Sequence, residues 1–583
     1  MRFPLIFLVS LRLIVPSVTH AADVNGYTAQ YECKSGGANC NVDVATYIAH
    51  ACDQTITTAD SAGTIDTKIN GGSQYICIQP GDYLSKGEIA LSANGTSGAR
   101  KVLTCRTSGG AACGTPWTST SARVKNLYIT GDYWVIYQIE VDSANASSVT
   151  GVQVTTDSQN VILGSILVEH IRAELVNMQG TDIVLQNSVI RTAYTPSNGD
   201  EYQCVSTGGG TNHWLVNNEI YDCNKGSHIH ANGTAPGAVV ENNDIYVSDA
   251  GRTNCSGTFT PTGNCGVMEA PISWKTGGTS GSPGRIIHNR IWNALDSDGT
   301  QVQVGDGVAI SLSNEAGGTG AQYVLVQNNI ILDSEWGIWN YYGGPDHNSI
   351  IGNLIYNIYD RRGIKGDPAW GIRYYGLSDA GVSGFDDSEI YLNTVIAAEA
   401  WLGTDARGTN NDIRCNVAIS SGGRDGALGT GTQQDYNAYY GTTDSGETNK
   451  IKPPFGTRAN STSYSLNDVI RTTATPPADG TAGDFLYKVT TAGTSAGRAP
   501  SYCTTLGCTT TDGSAAMTAI RGPYIGKRKL RTVAGGETFV IPYARVHTSA
   551  PEAAACPASF ANRDSIGIAR SDNLSRPKGG LAP

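Results

Sequence analysis

One short phrase recurs along the middle of the chain: an Asn, any residue, an aliphatic residue and a large apolar one. It reads Asn187-Ser-Val-Ile, Asn218-Glu-Ile-Tyr, Asn243-Asp-Ile-Tyr, Asn289-Arg-Ile-Trp, Asn329-Ile-Ile-Leu, Asn353-Leu-Ile-Tyr, Asn393-Thr-Val-Ile and, in degenerate form, Asn416-Val-Ala-Ile. Successive Asn positions differ by 31, 25, 46, 40, 24, 40 and 23 residues. The short steps define a unit of about 23 to 25 residues, and the long ones are the same unit carrying an inserted loop. A period in this range is the mark of a solenoid.

The residues around each Asn select the kind of solenoid. Asp182-Ile-Val-Leu-Gln, His213-Trp-Leu-Val-Asn and Gln322-Tyr-Val-Leu-Val-Gln are short β-rich runs bounded by Gly, Asn and Asp, without helical periodicity. The Leu spacing of a leucine-rich repeat is absent. The pattern predicts an all-β chain, a right-handed parallel β-helix in which every coil adds one short strand to each stacked sheet. The recurring Asn is expected in a turn, where that residue tolerates left-handed dihedrals and bonds to its neighbours.

Residues 1–21 read as a secretory signal peptide: Arg2, the apolar run Pro4-Leu-Ile-Phe-Leu-Val-Ser-Leu, and the small-residue end Thr19-His-Ala-Ala. The expected location is extracellular or periplasmic, without membrane insertion. Fourteen cysteines agree with an oxidising destination. Their proximity along the chain suggests Cys33–Cys40, Cys52–Cys77, Cys105–Cys113, Cys204–Cys223, Cys255–Cys265 and Cys503–Cys508, leaving Cys415 and Cys556 to pair with each other or stay free. A formal net charge of -11 argues against a nucleic-acid partner but leaves room for an acidic polysaccharide held in a local cationic groove. The expected form is a monomer.

Two early stretches carry a family resemblance. Ile76-Cys-Ile-Gln-Pro-Gly-Asp-Tyr followed by Ile89-Ala-Leu-Ser-Ala-Asn-Gly-Thr resembles the opening coils of the pectate-lyase-like β-helix superfamily. Val124-Lys-Asn-Leu-Tyr-Ile-Thr-Gly and Trp134-Val-Ile-Tyr-Gln-Ile-Glu-Val resemble its next coil. The resemblance spans roughly residues 70 to 440 and specifies fold rather than reaction. The solenoid with its N-terminal cap is expected over 22–445 and a linker over 446–462. A small β-module, a candidate for carbohydrate binding, follows over 463–520. A tail over 521–583 is expected to pack on the solenoid.

Strand residues alternate faces, so outward side chains should stack in columns from coil to coil. Six candidate strands align on Gly or apolar positions: 201–205, 227–232, 270–275, 307–313, 337–341 and 371–375. With Tyr202, Ile229, Ile272, Ile310, Ile338 and Ile372 inward, one outward column reads Gln203, His230, Ser273, Ser311, Trp339, Arg373. Adjoining columns pair Glu201 with His228, and Lys275 with Tyr341 and Tyr375. Long insertions beside these strands would wall the face into a groove, and sites cluster on such loops.

Lys275, in Glu269-Ala-Pro-Ile-Ser-Trp-Lys, is the expected base. An amine among apolar neighbours such as Pro271 and Trp274 suits abstraction of the C5 proton of a uronate. Arg373 or a calcium ion would stabilise the resulting charge, and His230 or a tyrosine would serve the leaving group. His228, Trp339, Tyr341 and Tyr375 are the expected substrate contacts. Asp200, Glu201 and Glu269 are the candidate calcium ligands. The layout resembles that of the calcium-dependent family nine pectate lyases, in which a Lys follows an acidic residue on a strand. That family has a cluster of Asp before its Lys, where this chain has Glu269 alone. The motifs of β-helix polygalacturonases are absent, and Asp306 is a single acid rather than the carboxylate pair of glycoside hydrolysis.

The expected function is therefore a secreted polysaccharide lyase acting on a uronate-containing glycan by β-elimination. A non-catalytic carbohydrate-binding or adhesin-like solenoid and a uronate C5-epimerase remain open as alternatives.

Overall fold

The structure is a computed structural model. It describes residues 47, 49–113, 121–143, 149–171, 173–191, 203–223, 226–232, 237–248, 270–275, 277–294, 307–313, 320–341, 347–359, 368–375, 386–419, 421–435, 437–440, 456–466, 468–472, 485–503, 507–521, 524–532 and 538–545.

Three parallel sheets of 14, 13 and 12 strands run the length of a right-handed parallel β-helix, each coil giving one strand to each sheet. The first sheet runs from Gln54–Ile56 to Gln433–Asp435, the second from Gly81–Asp82 to Ala438–Tyr440, and the third from Glu88–Leu91 to Arg424–Asp425. Most inward columns are aliphatic. In the third sheet Val205, Ile229, Ile272, Ile310, Ile338, Ile372 and Leu402 lie in register, and all are buried. Stacking such columns buries apolar surface continuously, at about 25 cal/mol per Å². One helix, Ala62–Asn70, lies by the first coils and buries Ile65 and Ile69; Ser61 caps it by accepting from the Thr64 amide. It shields an edge that would otherwise offer open strand ends.

The Asn repeat is an internal ladder. The main-chain N–H and the Nδ2 of Asn218 donate to Oδ1 of Asn243, and the same pair of bonds continues through Asn289, Asn329, Asn353, Asn393, Asn416 and Asn437, at 2.8–3.0 Å. Each Nδ2 also donates to a main-chain carbonyl, as Asn329 does to Ile286 at 2.8 Å. Two expectations are corrected here. The left-handed residue is the one before each ladder Asn from Asn218 to Asn416: Asn217, Asn242, His288, Asn328, Leu392 and Cys415 have φ of 54–62°. Gly352 takes that place before Asn353, where a Cβ would fall 2.5 Å from Oδ1 of Asn328. The second correction concerns Asn187, which itself occupies the left-handed position at φ 51°, while Ser188 stands in the ladder and binds Oδ1 of Asn218.

Disulfides join Cys52–Cys77, Cys105–Cys113, Cys204–Cys223 and Cys503–Cys508, as the spacing suggested. Cys415 is also disulfide-bonded; Cys33, Cys40, Cys255, Cys265 and Cys556 lie outside the described residues. Four such bonds fit an oxidising compartment. Residues 1–21 lie outside the described residues, and among those described no helix is long and apolar enough to cross a membrane.

Beyond the solenoid, five strands from Gly456–Thr457 to Ala515–Arg521 form a separate sheet around Ile470, Tyr487, Val489 and Met517. Arg458 and the fully buried Asp512 form an ion pair beneath it at 2.7 Å, and Tyr502 donates to the same carboxylate. Further on, Tyr524–Thr532 and Thr538–Arg545 pair only with each other.

Candidate active site

The third sheet presents an outward column of twelve residues. In ladder register it reads Ala90, Tyr128, Gln153, Asn177, Ser206, His230, Ser273, Ser311, Trp339, Arg373, Gly403, Asp425. Alternation puts these opposite the inward aliphatic column. The expected run from His230 to Arg373 is therefore in register. Its first member is corrected, since Ser206 rather than Gln203 lies beside His230. The alignment on Tyr202 is off by three residues, because Val205 at the far end of that stretch fills the core position.

Exposure divides the column. Tyr128 is 38% exposed, and Gln153 and His230 are partly exposed. Toward the C-terminus Ser273, Ser311, Trp339 and Arg373 are closed off, at 0–6%. Back from His230, Ser206 and Asn177 are buried at 9% and 8%, and exposure returns at Gln153 and Tyr128. Tyr128, Gln153 and Asn177 were missed, although Asn126-Leu-Tyr-Ile, Val152-Gln-Val and Val176-Asn-Met carry the same period of two that would have found them. Along that stretch Gln153 donates to Gln179 at 3.2 Å. Asn177 donates to Glu174, whose carboxyl is pushed up from its ordinary value by burial and held back by that bond.

Lys275 follows the strand Ile272–Trp274, and its amide donates to the Ala231 carbonyl at 2.7 Å. Its side chain is partly exposed. The register of Trp274 with Leu312, and of Ser313 with Tyr341 and Tyr375, sets Lys275, Ser313, Tyr341 and Tyr375 in one column, as expected. His230 lies one rung and two residues from Lys275, about 8 Å between backbones. Side chains of that length can reach the same sugar.

Other expected members do not converge. Arg373 lies three rungs beyond the Lys275 strand, about 14 Å along the sheet. Its guanidinium sits 5.1, 4.7 and 3.7 Å from the ring centroids of Trp336, Trp339 and Trp370, and it is 5% exposed. Such a cation is held by aromatic faces and cannot stabilise charge at a centre served by Lys275. Trp339 is fully buried in this cluster, edge-on to Trp336, and offers no stacking face to a sugar. His228 is likewise fully buried; its Nε2 bonds to the Tyr246 carbonyl, and burial pushes its pKa down to about 3. Neither is a substrate contact. Trp274 points into the core against Gly284, so it does not flank the Lys275 amine as expected.

Asp200, Glu201 and Glu269 lie outside the described residues. Among those described, Asp142, Glu169 and His170 form the only group with metal-ligand spacing, on the second sheet. Arg123 already binds Asp142 and Arg191 binds Glu169 at 2.7 Å, while His170 bonds to Asp142 at 3.1 Å and has its pKa raised chiefly by that bond. Calcium takes six or more oxygen ligands. Two carboxylates neutralised by guanidinium groups do not fit that demand.

No family model matches the chain, and no curated protein matches it. Among solved structures it is similar to an alginate lyase from Paenibacillus sp. strain FPU-7, at 16% identity and TM-score 0.38, covering 52% of this chain and 94% of that one. It is similar to the pectate lyase Pel9A at 12% identity and TM-score 0.36, covering 62% and 80%. It is also similar to the Streptococcus pneumoniae surface adhesin PfbA at 11% identity and TM-score 0.39, covering 67% and 94%.

Proposed function

We propose that this parallel β-helix is a polysaccharide lyase that binds an acidic, uronate-containing glycan along the third sheet and cleaves it by β-elimination at Lys275. The observation that carries the reading is the placement of a partly exposed lysine one rung and two residues from His230, whose ring nitrogens are shielded from solvent, on a polar column whose far end exposes Tyr128 and Gln153. Five rungs separate Tyr128 from Ser273, about 24 Å, room for several sugars.

In the proposed step the Lys275 amine takes the C5 proton, the electron pair forms the C4–C5 double bond, and the C4–O bond breaks. His230, as the imidazolium, gives its proton to the departing oxygen. An unsaturated uronate results. A C5-epimerase would share the first half of this sequence and return a proton from the opposite face of the ring. An adhesin-like function is favoured by one specific feature: the exposed Tyr128 and the partly exposed Gln153 suit holding a glycan as well as cleaving it.

The test is ultraviolet absorbance of unsaturated products on a panel of acidic polysaccharides, with and without a calcium chelator. Lys275→Ala should abolish product formation while leaving glycan affinity within about twofold, because base catalysis acts on the transition state. Binding without product by the wild-type protein would decide for the adhesin reading; proton exchange at C5 without cleavage would decide for epimerisation.

A further inference from the structure

The chain segregates its charge at the two-stranded ribbon. Residues 524–545 hold Lys527, Arg528, Lys529, Arg531 and Arg545 against one acid, Glu537, a net of +4. With -11 for the whole chain, the other residues sum to -15. The strand Tyr524–Thr532 carries four of the five cations, and neither strand contains Asp or Glu. Cross-strand register sets Lys527 opposite Pro542, Arg528 opposite Ile541, Lys529 opposite Val540 and Arg531 opposite Phe539. No cation therefore has an acidic partner across the ladder. From Lys527 to Arg531 the strand extends about 14 Å. A cationic strand of that length matches a polymer with repeated carboxylates.

A ribbon of two strands is marginally stable alone, and this one joins none of the sheets of the solenoid or of the module. A ligand that binds its folded form would stabilise it by mass action.

We propose that the ribbon Tyr524–Arg545 is a second, accessory binding site for acidic polysaccharide, separate from the Lys275 face. It would raise the local concentration of polymer at the solenoid, as linked binding modules do. The polyanionic class follows from the ribbon's own charge; the choice of a uronate glycan rests on the proposed function above.

The experiment uses the full chain in affinity electrophoresis through gels containing polymannuronate, polygalacturonate or a neutral glucan, at low and high salt, with double-stranded DNA as a competing polyanion. The wild-type protein should be retarded by the acidic glycans and not by the glucan, and salt should weaken the effect. The combined variant Lys527→Gln, Arg528→Gln, Lys529→Gln, Arg531→Gln should bind about tenfold or more weakly. The charge-keeping exchange Lys527→Arg, Arg528→Lys, Lys529→Arg, Arg531→Lys should bind as the wild type does. Unretarded wild-type protein, equal binding by the neutralised variant, equal retention by the glucan, tighter binding to DNA, or loss of binding in the charge-keeping variant would each overturn the proposal. Product formation from short acidic oligosaccharides, measured separately on the same proteins, reports on Lys275 alone, so the two readings fail independently.

Discussion

Asn329 and Asn187 begin the same sequence phrase, and the structure predicts that they differ sharply in what they contribute. Asn329 is fully buried. Its Oδ1 accepts from the main-chain N–H and the Nδ2 of Asn289, and its Nδ2 donates to the Ile286 carbonyl and to Oδ1 of Asn353. Asn329→Ala leaves the Asn289 amide and the Ile286 carbonyl without these partners inside the solenoid. At about 1–3 kcal/mol for each buried group left unbonded, the cost is about 2–6 kcal/mol. Asn187 is exposed and its side chain takes no part in the ladder; its φ of 51° is the feature to preserve. Asn187→Ala should therefore cost only the left-handed strain of an alanine, about 1 kcal/mol, and Asn187→Gly close to nothing. Guanidinium midpoints for the three variants, with hydrogen exchange at the Asn289 amide, give the comparison directly. Exchange at Asn289 should quicken in Asn329→Ala and stay unchanged in the Asn187 variants. Equal losses at the two sites, or an undisturbed Asn289 amide, would refute the ladder as the source of the stability.

Two further outcomes follow from burial and from reach. Burial pushes the pKa of His213 down to about 4 and that of His228 to about 3, whereas an unfolded histidine titrates near 6.5. The unfolded chain thus binds protons first, so stability is full above about pH 6.5 and falls as pH drops toward 4, by about 1.4 kcal/mol per pH unit for each of the two residues. His170, whose pKa is raised, acts in the opposite sense: its contribution is present below the unfolded value and is lost as pH rises through the folded one. Urea midpoints against pH should show the acid slope roughly halved in His228→Gln; an unaltered slope would count against the buried neutral imidazole. At the far end of the column, where Tyr128 is exposed, Tyr128→Ala should raise KM on long polymers roughly two- to tenfold, the worth of one stacked ring, with kcat unchanged and short substrates unaffected. A loss of kcat instead would move the reacting centre away from Lys275.

The fold was legible because a solenoid repeats its evidence of itself: eight Asn phrases and period-two strands all imply one architecture, and the expected column from His230 to Arg373 is in register. The site was legible only in part, for physical reasons that differ by residue. Alternation assigns a face but not exposure, so Trp339 and Arg373 fell on the expected side yet lie closed within an aromatic cluster. His228 stands just before its strand, where alternation no longer applies, and the chain turns it inward to the Tyr246 carbonyl. Rung spacing is likewise invisible until strands are counted; that count separates Lys275 from Arg373. The phrase at Asn187 misled by one position because its neighbour Ser188 can accept the same kind of bond, as it does from the Ile166 amide at 3.2 Å.

At the corner that carries the ladder, two residues join the first sheet to the second in every coil from Ile162–Gly164 to Asp412–Arg414: one left-handed or glycine, then the Ser or Asn, or Ile166 in the first of them. Every long step between repeats is accommodated elsewhere in the coil. This corner therefore behaves as a fixed-pitch thread, and the other two as places where length is free. A complete coil could be removed or duplicated between one Asn and the next without breaking the thread. A single residue inserted after Gln327 would instead displace Asn329 from its neighbours above and below. If the proposed glycan face is right, lengthening or shortening it by whole coils is the natural route by which a protein of this design would change how many sugars it holds.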